Sequence, residues 1–65
     1  MKKNIDGKKV EAIRVLHDKT KADMASIMGF SERSYYDKVD NKKPFKVSEV
    51  IALMEYFNVK FEDLL

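Results

Sequence analysis

A chain of 65 residues makes one small domain with a modest core, and it leaves room for a single binding surface. It contains no cysteine, which excludes a disulfide-stapled scaffold and a cysteine-ligated zinc module and fits a reducing compartment. The net charge of +2 is too small to define a partner, so the distribution of charge along the chain carries more information than its total.

No apolar run approaches the roughly 18 residues of a membrane span. The basic start MKKNIDGKK leads into an amphipathic segment rather than a signal-type apolar block, so the expected location is the cytoplasm. Two glycines, one proline and helical apolar spacing throughout predict an all-α bundle of about five short helices. Residues 1–6 read as a flexible basic arm on one domain covering 1–65. In the first helix Val10, Ile13, Leu16 and His17 recur at three- and four-residue steps and turn one face inward, while Lys9, Glu11, Arg14 and Asp18 stay wet. Thr20 opens the second helix, where its hydroxyl accepts a backbone N–H and Asp23 completes a capping box. Met24, Ile27 and Met28 face in, and Ala25 is small enough for a close helix crossing.

Gly29 follows Met28 directly, where a left-handed residue ends a helix at little steric cost. Phe30 plugs the turn, and Ser31 caps a third helix. In that helix Tyr35 and Val39 point to the core, while Glu32, Arg33, Tyr36 and Asp37 point away. Pro44 stops helical continuation in DNKKPF, and Phe45 folds back into the core. Val47, Val50, Ile51, Met54 and Phe57 form a broad apolar stripe, Asn58 is the stop, and FEDLL reads as a closing turn of helix.

Catalysis needs a nucleophile with an adjacent base, and a metal needs three or four convergent ligands. The one histidine, His17, falls on or beside the buried face of the first helix. The carboxylate pairs Asp37 with Asp40 and Glu62 with Asp63 have no third ligand or pocket nearby, and no Gly-rich phosphate loop is present. The expectation is therefore a protein without catalytic residues, metal site, cofactor or small-molecule substrate. Two helices joined by a short Gly-containing turn, the second capped by serine, form the layout that inserts a helix into the major groove.

The run from Thr20 through Met24, Ala25, Met28, Gly29, Phe30 and Ser31 resembles the T…LA…LG(V/I)S core of the helix-turn-helix family of phage repressors and Cro-like proteins. The tail FNVKFEDLL resembles that family's closing segment. More narrowly, RSYYDKVDNKKPFKVSEVIALMEYFNV is similar to small regulators of temperate phages from Gram-positive hosts. The resemblance covers nearly the whole chain and implies a lambda-repressor-like DNA-binding domain acting in a lysis-lysogeny switch inside a bacterial host cell. Such proteins act as Cro-like operator binders or as modulators that disable the partner repressor.

The departures from that pattern matter. Asp37 and Asp40 stand where the family favours Asn, Asn41 replaces a loop glycine, and Glu32 occupies the usual first base-reading position. Asn can bond adenine bidentately, whereas Asp presents an anion to a polyanion. Lys46 and Lys60 replace Thr or Ser helix caps, so two side-chain caps are expected to be lost at about 0.5–2 kcal/mol each.

Two functions follow. In operator binding, Arg33 and Tyr36 reach base edges, Thr20, Lys21, Lys42, Lys43 and Lys46 hold phosphates, Lys38 reaches one from the flank, and Ser31 at the start of the reading helix belongs to the same DNA-binding set. A homodimer would cover two half-sites, with Leu53, Tyr56, Phe61, Leu64 or Leu65 as candidate contacts against the plainer reading of these residues as core. In the alternative, Glu32, Arg33, Tyr36, Asp37 and Asp40 dock on the basic DNA-binding domain of a partner repressor and occlude it.

Overall fold

In the computed structural model the described residues are 5–65, so residues 1–4 of the expected arm lie outside them. Four α-helices follow in order: α1 (Gly7–Leu16), α2 (Lys21–Met28), α3 (Glu32–Val39) and α4 (Val47–Phe57). A 3-10 turn at Phe61–Leu64 closes the chain. No strand forms among the described residues, and no helix is long and apolar enough to cross a membrane. The all-α expectation is met with four helices instead of five. The four-residue FEDL segment is too short to build an α-helical ladder and tightens into i→i+3 bonding.

The last two residues of the expected arm are fixed in place. Ile5 is buried, and the Asp6 N–H donates to the Leu64 carbonyl at 2.7 Å, so the residue before α1 is tied to the 3-10 turn. Asp6 is also the N-cap of α1, accepting from the Lys8 N–H at 3.0 Å. Asn41, left-handed at φ 62°, adds a second cap from a distance: its Oδ1 accepts from the Gly7 N–H at 2.9 Å. Gly7 itself sits against the end of α3. A Cβ there would lie 2.3 Å from the Val39 carbonyl oxygen, so the two backbones meet where only glycine fits.

Val10 is fully buried and Ile13 packs on the core, but Leu16 is 78% exposed and His17 is exposed. This corrects the expected inward face of α1. At 100° per residue, successive steps of three drift by about 60°, so Leu16 lies about 120° from Val10. His17 packs on the surface against Phe57, with ring centroids 4.8 Å apart.

The α2 cap forms as expected. Thr20 Oγ1 accepts from the Asp23 N–H, and Asp23 Oδ2 accepts from the Thr20 N–H, both at 3.0 Å. Met24, Ala25 and Met28 are buried, and Gly29 ends α2 at φ 88°. Beyond Phe30, Ser31 Oγ accepts from the Ser34 N–H at 3.2 Å and starts α3.

The α4 stripe is rotated from expectation. Val50 and Leu53 are buried and Met54 and Phe57 pack beside them, whereas Val47 is 76% exposed and Ile51 is exposed. Leu53 and Leu64 are completely buried, so neither can supply a dimer contact, while Tyr56, Phe61 and Leu65 remain exposed. Lys46 and Lys60 offer no side-chain cap, as expected. Half of each capping arrangement survives, because Glu49 accepts from the Lys46 N–H at 2.8 Å and Asp63 accepts from the Lys60 N–H at 3.1 Å.

Candidate functional site

The outward side of α3 carries carboxylates, a guanidinium and a phenol. At 100° per residue, Glu32, Tyr36, Asp40, Arg33 and Asp37 follow one another across an arc of about 140°. Glu32, Arg33, Tyr36 and Asp40 are exposed, and Asp37 is half-buried. Tyr35 lies on the opposite side, fully buried, and fixes the roll of the helix. Its hydroxyl donates to Glu11 Oε1 at 2.8 Å; the other Glu11 oxygen pairs with Arg14, whose Nη1 donates to the Lys19 carbonyl at 2.8 Å. This chain of bonds connects α3, α1 and the segment leading into α2.

Proton affinities reflect the same network. The Arg14 hydrogen bond, and then the Tyr35 hydroxyl, hold the Glu11 carboxyl below its ordinary range against the opposing effect of burial. Burial, and then the bond to anionic Glu11, push the Tyr35 phenol well above its ordinary value. Both shifts keep the network in the state drawn here at neutral pH.

Lysines border the α3 strip on both edges. On the α1 and α2 side, Lys21 Nζ lies 4.7 Å from the centroid of the Tyr36 ring, within cation–π range. A cleft on this edge is lined by Lys8, Glu11, Lys21, Tyr36, Val39 and Asp40. On the other edge, Lys43 Nζ reaches Asp37 Oδ2 at 3.6 Å. The Lys42 and Lys43 N–H groups both donate to the Asp37 carbonyl, at 2.9 and 3.4 Å, which winds the basic loop onto the end of α3. Lys42 and Lys46 are exposed in the same loop.

Lys38 does not belong to this surface, which corrects its assignment as a flank contact. It is 7% exposed, pairs with Glu49 Oε1 at 2.7 Å and donates to the Pro44 carbonyl at 3.4 Å. Helical phase explains the difference: Lys38 lies about 200° around α3 from Tyr36, on the side facing α4. Thr20 and Ser31 are exposed at the starts of α2 and α3, with their hydroxyl oxygens engaged as caps. Of the lysines expected to hold phosphates, Lys21 and Lys43 are the two whose ammonium groups contact side chains of the strip.

Sequence reasoning missed Lys8, which it counted among the charges of the N-terminal run. Its place on α1, three residues before Glu11, puts it on the cleft side, and that spacing was the available signal. Among the described residues, no group of three or more His, Asp or Glu side chains is placed to hold a metal ion. The chain matches no family model, no curated protein and no solved structure.

Proposed function

We propose that the chain is a non-catalytic helix-turn-helix transcription regulator of a phage or prophage lysis-lysogeny switch, binding operator DNA through α3. The observation that carries this reading is the placement of lysines on both edges of the outward strip, Lys21 at Tyr36 and Lys43 at Asp37. A helix about 10–12 Å across fits a major groove about 12 Å wide, with its edges beside the two phosphate backbones and its centre at the base edges. Lysines then meet phosphates, where charge governs affinity, and of the three acids Asp40 lies toward the centre of the strip while Glu32 and Asp37 mark its two ends.

In that position a carboxylate has a partner of its own, because the cytosine amino group presents a donor in the major groove. Arg33 donates to guanine, and Tyr36 reaches an adjacent base edge or phosphate. Asp37 is offset by Lys43, which lowers its cost near the backbone. A symmetric dimer covering two half-sites would draw its contact from Tyr56, Phe61 and Leu65, the interface candidates that are exposed.

A second reading is favoured by one observation: Glu32 and Asp40 are exposed on the strip and form no ion pair among the described residues. A basic protein surface, such as the DNA-binding face of a partner repressor, complements them, and Arg33 and Tyr36 supply anchors of the kind enriched in interface hot spots. The two readings separate in a titration against the regulatory DNA upstream of the chain's own gene, at low and physiological salt, without and with the neighbouring repressor. Operator binding predicts tight, salt-dependent association by the protein alone. Weak association alone, with release of the repressor from DNA when this protein is added, supports the second reading instead.

A further inference from the structure

We infer that Lys8 and Lys21 act together as a DNA phosphate clamp on the α1 edge of α3, making Lys8 a positioning residue for the complex; this rests on the operator-binding reading. The two lysines come from different helices and line one cleft with Tyr36 and Asp40. Neither forms an ion pair among the described residues. Lys21 is held over the Tyr36 ring instead, which keeps the ammonium beside the strip without neutralising it.

The acids lining the cleft do not cancel these charges. Glu11 is already engaged by Arg14 and by the Tyr35 hydroxyl, so Asp40 remains as the free anion against two cations. On the other edge the Lys42–Lys46 loop carries three lysines. A helix lying in the major groove has a phosphate backbone on each side, and the loop supplies cations to one of them. Lys8 and Lys21 supply the other, and because they contact phosphate they contribute affinity without reading sequence.

The test compares the wild-type chain with Lys8→Gln, Lys21→Gln and Lys9→Gln by titration against a specific and an unrelated duplex over a salt series. Lys9 is exposed on α1 about 100° from Lys8 and does not line the cleft, so it controls for net charge. Circular dichroism confirms the fold of each variant. The expected result is that Lys8→Gln and Lys21→Gln each make the slope of log affinity against log salt less negative by about 0.9, equally on both duplexes, while Lys9→Gln leaves the slope unchanged. If the wild type binds DNA but Lys8→Gln behaves like Lys9→Gln, the clamp is refuted and operator binding stands. If the wild type shows no salt-dependent association with either duplex, both fall.

Discussion

Lys38 and Glu49 form an ion pair at 2.7 Å with each residue 7% exposed, joining the end of α3 to the first turn of α4. Lys38 Nζ also lies 4.9 Å from the Phe30 ring centroid and 6.0 Å from that of Phe45, so the charge is enclosed by aromatic faces as well as by its counterion. Glu49 accepts from the Lys46 N–H with the same oxygen, and one carboxylate thereby serves both the pair and the start of α4.

Removing one partner leaves the other charge buried and unpaired, at about 3–5 kcal/mol. A domain of this size has about 3–10 kcal/mol in total, so Lys38→Met removes a large part of it or unfolds the chain. Replacing both partners by apolar residues, as in Lys38→Met with Glu49→Leu, should cost less than the two single changes together. Urea unfolding of the three variants checks this, and equal additive losses would show that the pair is not the coupling element.

Tyr35→Phe keeps the buried ring and deletes the bond to Glu11, with an expected loss of about 1.5–3 kcal/mol. The pH profile separates the two partners. Glu11 titrates below its ordinary 4.5 in the folded chain, so its contribution is complete above that value and is lost as pH falls through the folded value. Tyr35 titrates above its ordinary 10.0, so its contribution is complete below pH 10 and is lost as pH rises toward the folded value. Glu11→Gln should therefore reduce the acid loss of stability without abolishing it, since Asp6 and Asp23 are also held low by their cap hydrogen bonds. Tyr35→Phe should reduce the alkaline loss. Melting temperatures across the pH range provide the readout.

Gly7→Ala is expected to destabilise even though alanine is the better helix former. The propensity gain is about 1 kcal/mol. The added Cβ meets the Val39 backbone, which cannot rotate away as a side chain could, and overpacking of this kind costs about 1–3 kcal/mol. Each net kcal/mol lowers the melting temperature by about 4–8 °C in a domain of this size. Unchanged melting would mean that α1 and α3 can separate freely at this point.

The parts of this fold that were legible in the sequence rest on local chemistry. Thr20 with Asp23, Gly29 after Met28 and Ser31 before α3 each satisfy helix ends within a few residues, and all three perform the expected role. The outward positions of Glu32, Arg33 and Tyr36 followed from the placement of Tyr35 and Val39. What was illegible depends on distant partners. Lys38 reads as a surface cation until Glu49, eleven residues on, is brought beside it. Asn41 reads as a loop residue until its amide caps α1, 34 residues away in sequence. Leu16 and Val47 are apolar at helical spacing, and only the position of the neighbouring helices decides that they are exposed.

Asp37→Asn with Asp40→Asn should raise affinity for duplex DNA, on the order of tenfold, the scale of about 1.4 kcal/mol. Asp37→Asn frees Lys43 for phosphate, and Asp40→Asn removes the unpaired anion of the α1-edge cleft. The same variant should weaken any complex with a basic protein partner. Affinity for duplex DNA and for a basic DNA-binding domain, measured side by side, checks both effects; no change in either would reject the role of these charges.

Operator binding by the outward face of α3 is tested most directly by mapping which backbone amides shift in NMR spectra of the chain when its upstream regulatory duplex is added. The account predicts shifts clustered at Thr20 and Lys21, at Ser31–Asp37 and through the Asp40–Lys46 loop, with Lys8 included and the exposed end of α1 at Leu16 unmoved. Shifts confined to Leu16, His17 and Tyr56, or an absence of shifts at a duplex concentration that saturates small DNA-binding domains, would contradict it.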